Sequence, residues 1–257
     1  MSSSFETIRF EIVEDVACIT LTSPPVNILS AGMMNELSEA LATIRADDSL
    51  KAVAITAEGK AFSAGADIGE HRPEQAPEMI GAFGRMFRRF DGLELPVVMA
   101  VDGAALGAGF ELILMADVLL ASEGATFGQP EIRLGFFAPV GVAELPALVG
   151  RAKAMEITCS GRIYSAAEMQ AYGLVTRVVP AAELDTVLQS VLKDFRRASP
   201  LVMRLNVRCL KQSRQRPFRA ALGEAERVFL EELMASEDPV EGINSFYEKR
   251  RPEWKNR

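Results

Sequence analysis

Histidine occurs once in the 257 residues and cysteine three times, with Cys18, Cys159 and Cys209 far apart. The cysteines form neither a C-x-x-C pair nor a zinc-ligand spacing, so a disulfide framework, a dithiol site and a cysteine-held metal are all unexpected. Reduced thiols in a cytoplasmic protein, and no metal, are the expectation. Long apolar runs are also missing: the most apolar stretch, residues 96–121, is broken by Asp102, Glu111 and Asp117 and offers no bilayer span. Met1-Ser-Ser-Ser-Phe-Glu6 lacks the basic-then-apolar pattern of a secretory signal. Positive charge is in deficit, 28 Lys and Arg against 35 Asp and Glu, for a net charge of −7 and a pI near 5.0. That balance argues against general affinity for nucleic acid or anionic lipid, so any anion site must be a local one. Neither the G-x-G-x-x-G fingerprint nor the P-loop pattern occurs, which weakens nucleotide-binding readings.

What is present suits a self-sufficient globular chain, with 49% hydrophobic and 25% charged residues. Thr7–Val13 and Val16–Leu21 alternate as a hairpin around Glu14-Asp15, and Met33, Leu37, Leu41 and Ile44 mark a helix over 32–46. Strands are predicted at 52–57, 96–101 and 118–121, and helices at 76–91, 107–116 and, interrupted near Gly150, 141–160. From about residue 182 the pattern is wholly helical, near 182–197, 200–213, 218–235 and 239–248. The expected fold class is therefore α/β, with a layered core over residues 1–181 and a helical region over 182–257. Arg204 to Arg219 is basic and Glu224 to Glu241 mostly acidic, which fits solvated helix faces or complementary packing between subunits.

Two segments of small residues follow predicted strands: Ala64-Gly65-Ala66-Asp67 and Leu106-Gly-Ala-Gly-Phe-Glu111. At a strand-to-helix junction, backbone N–H groups are left free to point at an anion, and small side chains let a ligand approach them. Two such sites facing one another would form a pair of donors. Taken singly, each is also an ordinary glycine turn. Glu111 sits in the apolar run Phe110-Glu-Leu-Ile-Leu-Met-Ala116, where burial of an unpaired carboxylate is costly and raises its pKa toward the range useful for acid–base work. Glu131, in Phe127-Gly-Gln-Pro-Glu-Ile-Arg-Leu-Gly135, is a second candidate or a surface loop residue.

The ordered set Phe62-Ser-Ala-Gly-Ala-Asp-Ile68, Val101-Asp-Gly-Ala-Ala-Leu-Gly-Ala-Gly-Phe-Glu111 and Phe127-Gly-Gln-Pro-Glu131 resembles the enoyl-CoA hydratase (crotonase) superfamily. The later run Ser165-Ala-Ala-Glu-Met-Gln-Ala-Tyr-Gly-Leu-Val-Thr-Arg-Val-Val-Pro180 does too. The resemblance implies a spiral of ββα units, with residues 182–257 packing a homotrimer or homohexamer. It further implies an oxyanion hole from the backbone N–H groups of Ala66 and Ala108, and Glu111 and Glu131 as the catalytic pair of a hydratase. No cofactor is implied, because coenzyme A is part of the acyl-CoA substrate. Asp67 is equally readable as a helix N-cap, and Asp117 as structural.

Where many relatives carry a glycine-rich turn after the second glutamate, this chain reads Gly135-Phe-Phe-Ala-Pro-Val-Gly141. Phe136 and Phe137 add flat apolar surface and Pro139 removes a donor, which marks a different acyl pocket or, for the aromatics, simple core filling. His71, the lone histidine, lies just beyond the first small-residue segment, in Ala66-Asp-Ile-Gly-Glu-His-Arg-Pro73; it is either exposed or part of that pocket. With Pro25-Val-Asn-Ile-Leu29, these features are similar to the cyclohexa-1,5-diene-1-carbonyl-CoA hydratases. The alternatives are a general short-chain 2-enoyl-CoA hydratase, an isomerase or hydrolase of the fold, and, in another class, a catalytically silent RNA-binding or scaffold member.

Overall fold

The computed structural model describes residues 5–214 and 216–257. The hairpin forms as expected, β1 (Ile8–Val13) antiparallel to β2 (Val16–Leu21), with Glu14 in the left-handed region at the turn. After a two-residue strand β3 (Ile28–Leu29), the side chain of Ser30 accepts the Met33 N–H and opens α1 (Ala31–Arg45). Met33, Leu37, Leu41 and Ile44 are buried along one face of that helix, as their spacing requires.

A repeating path follows. A buried strand of five or six residues is succeeded by one or two very short strands and then, in the first two turns, a helix. The first turn runs β4 (Ala52–Ala57), β5 (Ala61–Ser63), β6 (Gly65–Ala66), α2 (Ala76–Asp91), and the second β7 (Val97–Val101), β8 (Ala104–Leu106), α3 (Ala108–Ile113). The third begins β9 (Val118–Ser122), β10 (Thr126–Gly128) and continues through a 3-10 turn over Pro130–Leu134. Beyond it come α4 (Pro139–Val149), α5 (Arg151–Ser160), β11 (Ile163–Ser165), α6 (Ala166–Ala171) and β12 (Arg177–Val179). Long strands gather in one sheet, ordered β1-β2-β4-β7-β9-β12, all pairs after the hairpin being parallel. Short strands gather in a second sheet, ordered β11-β10-β8-β5, while β3 and β6 pair separately. The result is a spiral of ββα units, the α/β fold the resemblance implied.

The main core lies between the sheets and the faces of α1 and α2 that carry Met33, Leu37, Phe83, Phe87 and Phe90. On the other face of the long sheet, Val16, Ala52, Val98 and Leu120 are covered by Leu184, Leu188 and Leu192 of α7 (Leu184–Phe195). Strands buried on both faces read as unbroken apolar runs, such as Val97-Val-Met-Ala-Val101. Helices α8 (Pro200–Ser213), α9 (Phe218–Val228) and α10 (Asp238–Glu248) complete the chain. The buried carboxylate of Asp238 ties this region together, accepting from the Ser199 hydroxyl at 2.5 Å and the Lys255 N–H at 2.6 Å. Arg208 of the basic stretch pairs with Glu232 of the acidic one, while Arg227 pairs with Glu224 inside the acidic stretch. Among the described residues no helix is long and apolar enough to cross a membrane.

Candidate active site

The second small-residue segment behaves as its sequence predicts. Gly107 turns the chain at φ +55 and ψ −128, a conformation suited to glycine, and Ala108 opens α3, so its N–H belongs to the unpaired first turn. The first segment differs from expectation. Gly65 and Ala66 form strand β6 against β3, a 3-10 turn covers Gly69–His71, and the next α-helix starts only at Ala76. Ala66 therefore lies in a short strand rather than at a strand-to-helix junction; two-residue strands are too short to show a periodicity. The two segments still touch: a β-carbon on Gly65 would sit 3.0 Å from the Leu106 carbonyl oxygen and 3.5 Å from the Ala108 nitrogen.

Buried polar groups hold the first segment in place. Asn27 donates through its amide to the carbonyls of Glu58 at 2.7 Å and Ala61 at 2.9 Å, and accepts the Ser23 N–H. The hydroxyl of Ser63 donates to the Asn27 carbonyl at 2.7 Å and accepts the Gly65 N–H at 3.2 Å. Such fully paired buried groups give the loop a single register. Neither Asn27 nor Ser63 was singled out from the sequence, although both lie inside the motifs.

Glu111, 2% exposed, projects from α3 toward the start of α4. One carboxylate oxygen accepts the N–H groups of Val140 at 2.7 Å and Gly141 at 3.0 Å. Pro139, at the first position of α4, has no N–H to give, yet the next two residues supply donors. Burial pushes the Glu111 pKa up to about 8, helped by the nearby Glu131 and opposed by the two N–H bonds. Glu131 lies in the 3-10 turn after β10, and burial raises its pKa as well, against the pull of its own backbone hydrogen bond and of His71. With its nitrogen facing Glu131, the Gln129 amide donates to both carboxylate oxygens at 2.9 Å. Gln129 is 1% exposed and also escaped sequence reasoning; a buried amide two residues from a candidate carboxylate was the available signal.

These groups converge on one cavity of about 650 Å³. Its wall contains Glu111 and Glu131, Ala66 and Ala108, and also Ala64, Gly65, Asp67, His71, Phe136, Phe137 and Pro139. All the residues selected from the sequence are thus brought together. Met79, Ile80 and Phe83 of α2 complete an apolar side. Phe136 and Phe137 are 39% and 69% exposed, so they are not core filling. His71 is half-buried, with Nδ1 2.8 Å from the Asp67 carbonyl and its ring 4.7 Å from that of Phe136. Asp67 accepts the Gly69 N–H at 2.6 Å and shapes the turn, while Asp117 accepts the Val97 N–H and is structural.

A large, mostly apolar cavity with two convergent carboxyls and main-chain segments of small residues can support acid–base chemistry on a bound substrate. The family described as enoyl-CoA hydratase/isomerase matches residues 11–257, and the chain belongs to it. A protein of Mycobacterium tuberculosis named a probable enoyl-CoA hydratase is 37% identical over 260 residues, 99% of this chain and 100% of that one. The cyclohexa-1,5-dienecarbonyl-CoA hydratase of Thauera aromatica is 36% identical over 239 residues, covering 93% and 92% of the two chains. The crystal structure of an enoyl-CoA hydratase from Bacillus anthracis superposes with a TM-score of 0.92 at 30% identity, covering 98% and 100%. The protein is accordingly an enzyme of the hydro-lyase type for which these relatives are named.

Proposed function

We propose that the cavity binds an unsaturated acyl-CoA thioester and adds water to it reversibly. The carrying observation is the pair of carboxyls in an apolar chamber, with Glu111 pushed up to about 8 and so holding a proton at neutral pH. Hydration needs one group to take a proton from water as it attacks the β-carbon and another to deliver a proton to the carbon skeleton. Two carboxyls facing one cavity, one of them protonated, can fill both roles. Attack drives charge onto the thioester oxygen, and the N–H groups of Ala66 and Ala108 are the proposed donors that stabilise the enolate. No metal or dissociable cofactor is needed, coenzyme A arriving with the substrate.

For the acyl group we favour cyclohexa-1,5-diene-1-carbonyl-CoA, giving 6-hydroxycyclohex-1-ene-1-carbonyl-CoA. The hydroxyl then goes to the β-carbon and the proton to the far end of the dienoyl system. The aromatic wall at Phe136, Phe137 and His71 and the similarity to the Thauera aromatica enzyme support this choice. The second reading, a general short-chain 2-enoyl-CoA hydratase, draws on the equal similarity to the Mycobacterium tuberculosis protein. Purified protein is incubated separately with the cyclic diene thioester and with crotonyl-CoA, alongside Glu111→Gln and Glu131→Gln. Hydration of the diene, lost in both variants, is the expected result; turnover of crotonyl-CoA alone would select the second reading. Wild-type activity in either variant would refute the role given to that glutamate.

Residues 182–257 are proposed to pack a homotrimer or homohexamer, since Phe218, Phe246 and Tyr247 are each 78% exposed in the single chain.

A further inference from the structure

The contact between His71 and Phe136 joins two segments with different duties. His71 ends the turn that follows Ala66, and Phe136 follows Glu131, donating its N–H to the Glu131 carbonyl at 3.0 Å. Both segments are held independently of each other. On the His71 side, Asp67 accepts from Gly69 at 2.6 Å, the Asp67 carbonyl lies 2.8 Å from Nδ1, and Glu70 accepts the Ala31 N–H at the start of α1 at 2.9 Å. On the Phe136 side, Gly135 takes φ +86 and reverses the chain directly after the 3-10 turn. The rings meet at 4.7 Å between centroids with an interplanar angle of 53°, and both line the cavity. Phe136 is 39% exposed and His71 half-buried, so core packing does not account for two aromatic rings here.

We infer that the His71–Phe136 pair is a specificity-determining aromatic wall that selects a flat, unsaturated ring as the acyl group over a flexible alkyl chain. This rests on the acyl-CoA reading of the same cavity. A rigid aromatic face offers a planar π-system offset or edge contacts that an sp³ chain cannot match, and it pays little ordering entropy. Because one ring is tied to the Ala66 segment and the other to the Glu131 segment, an acyl ring held by the pair is set between the proposed oxyanion donor and a proposed acid–base group.

The test uses two unreactive thioesters, benzoyl-CoA and butyryl-CoA, and calorimetric Kd values for the wild type, His71→Ala, Phe136→Leu and His71→Phe. Wild type is expected to favour benzoyl-CoA by about tenfold, the worth of an aromatic contact. His71→Ala and Phe136→Leu should bring the ratio toward one, and His71→Phe, which keeps a ring without its nitrogens, should restore it. Thermal midpoints close to wild type exclude misfolding as the cause. A ratio unchanged in both disrupting variants, or equal weakening of both ligands, would overturn the assignment of selectivity to this pair. Failure of the wild type to hydrate the cyclic diene would sink the substrate assignment and leave this ratio to be decided by itself.

Discussion

Replacing Glu111 with glutamine should make the protein more stable as well as inactive, and the gain should depend on pH. A glutamine oxygen can still accept the Val140 and Gly141 N–H groups, so the start of α4 keeps its partner. What disappears is a titration. The carboxyl is raised from 4.5 to about 8, chiefly by burial, so the folded state holds its proton more tightly than the unfolded chain does. Stability from this group is therefore complete below the unfolded value and is lost progressively as pH rises from about 4.5 to about 8. At ~1.4 kcal/mol per tenfold change in proton affinity, the full loss is about 5 kcal/mol, most of it between pH 5 and 9. Urea unfolding of wild type and Glu111→Gln at matched ionic strength from pH 5 to 9 measures the difference between Glu111, with its coupling to Glu131, and a neutral amide, because the uncoupled titrating groups cancel. The stability advantage of the variant should grow by roughly 4 kcal/mol across that range. A difference that stays flat within about 1 kcal/mol would show that Glu111 titrates as an ordinary carboxylate and remove the argument that it carries a proton at neutral pH.

Gly107→Ala combines two penalties: a backbone at φ +55 and ψ −128, and a β-carbon 2.7 Å from a Glu131 carboxylate oxygen. Strain alone should cost about 1–3 kcal/mol of stability, and displacement of the carboxylate should lower kcat/KM by about 100-fold, checked by thermal unfolding and steady-state kinetics. Lys211→Met removes an ammonium that donates to the carbonyls of Phe90 at 3.1 Å and Leu93 at 2.8 Å, just where α2 ends. A loss of about 2 kcal/mol is expected, seen as a fall in Tm of roughly 4–8 °C; an unchanged Tm would mean that water replaces these bonds without cost.

Residue pattern alone determined the long elements. Apolar runs such as Val97–Val101 and helical faces such as Met79, Phe83 and Phe87 are one-dimensional signals, because each element buries a surface with its own period. Local anomalies, a carboxylate in an apolar helix and glycines at a reversal, likewise marked Glu111 and the two small-residue segments as candidates, whereas Glu131, in a turn after β10, stood out only through the family resemblance. Only tertiary structure decided the rest. The short strands β3, β5, β6, β8 and β10 have two or three residues each and exist because neighbouring turns of the spiral supply their hydrogen-bond partners. That pairing, not a helix start, places Ala66. The same holds for the carboxyls: the amides of Val140, Gly141 and Gln129 become their partners, and His71 comes to rest on Phe136, through contacts between separate turns of the chain. A residue's chemistry is written in its own position, but its pKa and its neighbours depend on what the fold brings against it.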